Sequence, residues 1–95
     1  MPSLKAAHIR EQGQDMIIFP LDSAFGRKSH GDQTATLSAL QVRAHAAGLA
    51  GKAVAVWQSG NTTHFMGPKP WHGFLSGISM QWVWANVNKE ISWND

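Results

Sequence analysis

The order of hydrophobic and polar residues divides much of the chain into short elements. The apolar run 16–19 stops at Pro20 and predicts a buried strand, because a proline at a strand end costs no ladder hydrogen bond. From residue 33 to 47, apolar side chains recur at helical spacing, and Gly48 follows as the residue that ends the helix. Asp32 precedes this stretch and is predicted to cap it. A strand followed by a helix is therefore expected in the first half.

A β-hairpin is the clearest local prediction. Residues 52–58 and 63–66 are both rich in β-forming side chains, and Gly60 with Asn61 between them suits a two-residue turn. This turn places Trp57 opposite His64, and alternation along the strands gives the hairpin two faces. The face assigned to the core holds Val54, Val56 and Phe65. The other face, for which the pattern supplies little cover, holds Ala55, Trp57, His64 and Met66.

The C-terminal stretch fits two patterns. A strand-like alternation includes Met80, Trp82 and Trp84. A helical period extends further and includes Met80, Val83, Trp84, Val87 and Ile91. The longer period favours a helix over 79–92, and the alternative is that residues 79–93 form a fourth strand.

These elements predict an α+β fold. The expected architecture is a small two-layer β-α-β-β-α domain, with a three-stranded, largely antiparallel sheet and two helices on one face. Residues 1–15 are polar and weakly patterned, which predicts a flexible N-terminal arm or a weak strand. Residues 16–95 are expected to form the single domain, since 95 residues suffice for one core.

Composition and charge narrow the function classes. The chain has no cysteine, which excludes disulfides, thiolate metal sites and cysteine nucleophiles. The net charge is +2, and the longest run of like charge is Arg27-Lys28, which argues against specific nucleic-acid binding. No apolar stretch has the length of a membrane span or of a signal peptide, so a cytoplasmic protein without a membrane partner is expected.

The common catalytic motifs are also absent. The sequence contains no Gly-x-Ser-x-Gly elbow, no phosphate-binding loop and no dinucleotide fingerprint. Its histidines lack the spacing of helical zinc ligands and are scattered as His8, His30, His45, His64 and His72. The sequence therefore predicts a protein that is not an enzyme, with no catalytic residue, metal or cofactor.

The aromatic residues indicate a binding function instead. The chain has five tryptophans and no tyrosine, and the proline-rich segment 67–70 presents Trp71 and His72. Together with the outer face of the hairpin, this segment predicts an apolar patch made of Trp57, His64, Met66, Trp71 and His72. Exposed patches of this kind mark interfaces. We therefore expect a non-catalytic binding or interaction module, with a protein partner or a second copy of the chain.

A basic loop supports an alternative. Residues 26–31 are flanked by glycines and lead into the predicted helix, and they contain Arg27, Lys28 and His30. Cations beside a helix N-terminus suit an anion. The alternative is therefore a small enzyme or an anion-binding accessory domain built on this loop.

Overall fold

Within residues 3–11 and 13–92, which the structure describes, a five-stranded mixed sheet forms the centre of the protein. The structure is a computed structural model. The strands are β1 (Ser3–Glu11), β2 (Gln14–Leu21), β3 (Lys52–Ser59), β4 (Thr62–Met66) and β5 (Lys89–Ser92). Their order across the sheet is β4-β3-β2-β1-β5. Strands β2 and β3 pair in parallel, and the other neighbours pair antiparallel.

Helical segments cover both faces of this sheet. The helices are α1 (His30–Ala46), α2 (His72–Leu75) and α3 (Met80–Ala85). A 3₁₀ helix (Ser23–Arg27) precedes α1, and a second 3₁₀ turn (Lys69–Trp71) precedes α2. The first 3₁₀ helix and α1 pack on one face, here called the α1 face, while α2 and α3 pack on the other, the α3 face. The domain therefore has three layers.

Alternation along β2 and β3 supplies both cores. Ile17 and Phe19 lie on the α1 face with Leu40 of α1, and all three are buried. Ile18 and Val54 lie on the α3 face and pack with α2 and α3. A strand buried on both faces needs a nearly continuous apolar run, which explains the composition of these two strands.

The predicted three-stranded sheet with two helices on one face is wrong, because the described residues form five strands with helices on both faces. Residues 3–11, within the stretch for which an arm or a weak strand was expected, form β1 between β2 and β5. Its central residues Ala6 and Ala7 are fully buried, one on each face. Because alanine is only weakly hydrophobic, the pattern of apolar residues did not identify this central strand.

The C-terminal stretch is neither one long helix nor one strand. Helix α3 is capped by Ser79, whose Oγ accepts the N–H of Trp82 at 3.1 Å, but it ends at Ala85. Beyond it, Asn88 pairs with the backbone of His8: Oδ1 accepts the His8 N–H, and Nδ2 donates to the His8 carbonyl, both at 2.9 Å. This amide continues the ladder between β1 and β5, so the chain leaves α3 in an extended conformation.

Helix α1 extends the predicted helix at its beginning. Its N-cap is Ser29, whose Oγ accepts the N–H of Asp32 at 3.1 Å, so the prediction of Asp32 as the cap is wrong. Asp32 lies instead in the first turn, where an acidic side chain interacts favourably with the helix dipole. Gly48 follows the helix with a φ of 85°, as expected of a residue that ends a helix.

Candidate functional site

Strand β4 forms one edge of the sheet. The predicted hairpin register is confirmed: Trp57 lies opposite His64, and Ala55 lies opposite Met66. The turn contains Gly60 with a φ of 61°, a conformation that glycine adopts at little cost. The hairpin therefore places β4 beside β3, with its second side unoccupied in the sheet order.

The two edges of the sheet differ in their resistance to strand addition. Strand β5 has four residues and carries Lys89 and Glu90, which are both exposed. Short length and charge discourage pairing with another chain. Strand β4 has the sequence Thr-Thr-His-Phe-Met, without lysine, acid or proline. Of the two edges, β4 therefore lacks the charged residues that protect β5.

The hydrogen bonds of β3 indicate which groups of β4 face outward. The N–H of Ala53 points away from β2, because it is donated to Oε1 of Gln41 at 2.7 Å. The N–H groups of successive residues point to opposite sides of a strand, so those two residues apart point to the same side. The N–H of Ala55 therefore also points away from β2, toward β4. The N–H and C=O groups of Thr63 and Phe65, which alternate with the paired residues of β4, therefore point outward.

A cleft of about 410 Å³ lies between this edge and α1. Its lining includes the polar side chains of His30, Thr34, Ser38, Gln41 and Lys52 and the apolar side chain of Met66. The four helical residues recur at intervals of three or four, so they share one face of α1. Gly67 and Pro68, which follow β4, also line the cleft, and Pro68 has no N–H to donate to a ladder.

The charge of the cleft is positive. Lys52 stands at one end, and His30 begins α1 at the other. Among the described residues, no aspartate or glutamate lines the cleft. An anionic group on a ligand in this cleft therefore meets the Lys52 ammonium group and no lining carboxylate, although Lys52 also lines a neighbouring cavity that contains Glu11.

The structure separates the two tryptophans of the predicted patch. Trp57 lies on the α1 face and is only 8% exposed, because Phe25 of the 3₁₀ helix packs edge-on against it with ring centroids 4.8 Å apart. Trp71 is partly buried on the α3 face of the sheet. The hydrophobic pattern predicted no element over this face of the hairpin, and in the structure the 3₁₀ helix covers it.

Of the remaining patch residues, two belong to β4 and the third contacts it. On the α1 face, the exposed His64 stacks on Trp57 with centroids 5.7 Å apart, and the partly buried Met66 lines the cleft. On the α3 face, His72 meets the ring of Phe65 edge-on at 5.1 Å. The five residues do not form one surface; what most of them share is a position beside the β4 edge.

The basic loop is likewise divided. Arg27 and Lys28 are exposed, and Ser29 between Lys28 and His30 serves as the cap of α1. His30 lines the cleft beside β4, whereas Lys28 lines a different groove between α1 and α3. The side chains of these three residues therefore do not converge on one cavity.

Sequence reasoning missed Gln41 and Lys52. The Gln41 amide bonds through one end to Ala53 of β3 and through the other to Gly51 just before β3, and Lys52 supplies the charge of the cleft. A signal for Gln41 was present, since Thr34, Ser38 and Gln41 form a polar stripe at intervals of four and three residues beside the apolar one. No local pattern distinguished Lys52 from other cations.

The remaining observations concern possible metal sites, membrane-spanning helices, the last tryptophan and the comparisons with known proteins. In residues 3–11 and 13–92, no group of three or more histidine, aspartate or glutamate side chains is placed to hold a metal ion. The helices of the same part of the chain are too short or too polar to cross a membrane. Trp93 lies outside the described residues. Comparisons with protein-family models, with curated proteins and with solved structures found no match.

Proposed function

We propose that the protein is a non-catalytic binding module that accepts an extended, acidic peptide segment of a partner protein along β4. The observation that carries this proposal is the juxtaposition of an uncharged strand edge with a cleft walled by α1. Recognition by strand addition uses this combination: backbone hydrogen bonds supply affinity, and a neighbouring cavity selects side chains.

The backbone of the edge determines how the segment lies. Its main chain pairs with the outward N–H and C=O groups of Thr63 and Phe65. Every second side chain then points to the α1 face, as His64 and Met66 do in β4. These side chains enter the cleft, whose volume of about 410 Å³ holds one or two of moderate size.

The lining of the cleft selects an acidic segment. The methylene stem of a glutamate can contact Met66 and Leu37, while its carboxylate reaches Lys52 or His30. The polar groups of Thr34 and Ser38 lie along the same wall. Complementary charge of this kind raises specificity and the association rate more than the final affinity.

A titration followed by NMR tests this function. The probe is an acetylated and amidated heptapeptide of alternating threonine and glutamate, and the matched probe has lysine in place of glutamate. We expect the acidic peptide to shift the amide signals of β4 and of the cleft in a saturable manner. The lysine peptide is expected to bind at least about tenfold more weakly.

Two variants and one control variant locate the site. Thr63→Pro removes one outward N–H, a change that edge strands tolerate because that group faces solvent. Lys52→Glu reverses the charge of the cleft, and Lys89→Glu makes the same change at the opposite edge. The first two are expected to weaken binding and the third to leave it unchanged.

Two outcomes contradict the proposal. One is a folded Thr63→Pro variant that binds the acidic peptide as the natural chain does. The other is a concentration-dependent dimer that Thr63→Pro disrupts, without binding of either peptide, which assigns the β4 edge to a second copy of the chain.

A further inference from the structure

A second cavity lies at the end of the sheet where β2 finishes. It is a groove of about 680 Å³ between α1 and α3, which cover opposite faces. In open α/β sheets, ligands commonly bind outside the carboxyl ends of the parallel strands, and β2 is one strand of the parallel pair in this sheet. Its volume lies within the roughly 300–1,000 Å³ that is usual for such sites.

The floor of the groove is apolar. Leu21 and Phe25 contribute from the chain after β2, Leu40 from α1 and Met80 from α3. Phe25 and Leu40 are almost fully buried, which gives the floor a fixed shape. A ligand that fills this groove must therefore present an apolar body.

Trp84 forms the exposed wall. It is 52% exposed, and within the described residues it and Val42 are the large hydrophobic side chains that remain exposed. Its neighbour Trp82, by contrast, packs edge-on against Phe74 with centroids 5.8 Å apart. An indole that is open beside an apolar floor offers a face on which an aromatic ring can stack.

The charged groups at the rim select the sign of the ligand. Asp22 accepts the N–H of Ala24 at 3.1 Å and so acts as the cap of the 3₁₀ helix. Lys28 lines the same groove, and in the described part of the chain it has no ion-pair partner. Its ammonium group is therefore available to a ligand, while one oxygen of the Asp22 carboxylate is held by the backbone of the 3₁₀ helix.

From these contacts we infer that the groove between α1 and α3 binds a small aromatic anion. The ring stacks on Trp84 above the apolar floor, and the negatively charged group lies near Lys28. This site shares no lining residue with the cleft beside β4, so it does not depend on the proposed peptide binding.

The test uses 2-naphthoate as the probe and neutral 2-naphthalenemethanol as its uncharged counterpart. Binding is followed through the indole N–H signal of Trp84 in the full chain. We expect saturable binding of both compounds, with 2-naphthoate bound more tightly. Trp84→Ala is expected to weaken 2-naphthoate binding at least about tenfold, as read from the backbone amides of Met80 and Lys28.

Lys28→Ala separates charge recognition from simple apolar binding. It is expected to weaken 2-naphthoate binding and leave 2-naphthalenemethanol unchanged. Arg27→Ala is the matched control, since Arg27 is an exposed neighbouring cation that does not line the groove. No saturable binding, or equal binding by the natural chain and a folded Trp84→Ala variant, overturns the site. Equal effects of the two cation variants overturn the assignment of the anion to Lys28.

Discussion

The side chain of Gln41 replaces a missing strand next to Ala53. Its Oε1 accepts the N–H of Ala53 at 2.7 Å, and its Nε2 donates to the carbonyl of Gly51 at 2.9 Å. Strand β4 has already ended at this level, since its last pair is Met66 with Ala55. One side chain of α1 therefore satisfies the free edge of β3 and holds the helix beside the cleft.

Gln41→Leu is expected to lower the free energy of unfolding by about 1–3 kcal/mol, because it leaves the Ala53 N–H without its partner. Chemical denaturation measures this loss. The control is Ser38→Ala, one turn earlier on the same wall of the cleft. Equal stability of the two variants would show that the amide contributes nothing to the attachment of α1.

A comparison of glycine-to-alanine substitutions at two positions tests the hairpin turn. Gly60→Ala forces an alanine into the left-handed region at a φ of 61° and should cost about 1 kcal/mol. Gly31→Ala lies within α1, with nothing within 4 Å of the added methyl group, and should stabilise by up to about 1 kcal/mol. Thermal unfolding compares them. A melting temperature of the Gly60→Ala variant that is unchanged or raised contradicts the assigned turn.

The contact between the 3₁₀ helix and Trp57 depends on Gly26. A methyl group at Gly26 lies 2.5 Å from Nε1 of Trp57, so either the indole or the 3₁₀ helix has to shift. Gly26→Ala is expected to destabilise the fold by about 1–3 kcal/mol and to move the indole N–H signal of Trp57. Gly73→Ala, where the added methyl group has open space, is the control. An unshifted Trp57 signal in a fully stable Gly26→Ala variant would mean that the 3₁₀ helix does not cover this residue.

The α3 face is tested by two valines in helices. Val83 of α3 is fully buried, whereas Val42 of α1 is 68% exposed. Val83→Ala should cost about 2 kcal/mol through lost burial. Val42→Ala should be neutral or slightly stabilising, since alanine favours the helix. Equal unfolding free energies would indicate that α3 does not dock on the sheet.

The sequence pattern predicted the middle of the fold better than its ends. Strand β2, helix α1 and the β3–β4 register have strong periodicity or a turn signal, and these were predicted near their observed positions. Strand β1 is central but is buried through the two alanines Ala6 and Ala7. Strand β5 depends on a tertiary contact, the pairing of Asn88 with His8, which no local pattern shows.

The candidate site illustrates the same limit. The pattern identified an apolar hairpin face containing Trp57 but could not show that Phe25 covers it, because Phe25 lies in a short irregular segment without periodicity. Helix α1 was predicted without knowing which face of the sheet it covers. Lys52 lines the cleft because α1 covers this face of the sheet. Which face α1 covers depends on the topology of the whole fold.

Amide hydrogen exchange at Thr63 and Phe65 tests the open edge of β4 most directly. In the free protein, both amides should exchange rapidly, while the paired amides of His64 and Met66 are protected. Addition of the acidic heptapeptide should slow exchange at Thr63 and Phe65 at least about tenfold, because each gains a backbone hydrogen bond. Unchanged exchange at these two amides in a protein saturated with the peptide would contradict strand addition at β4.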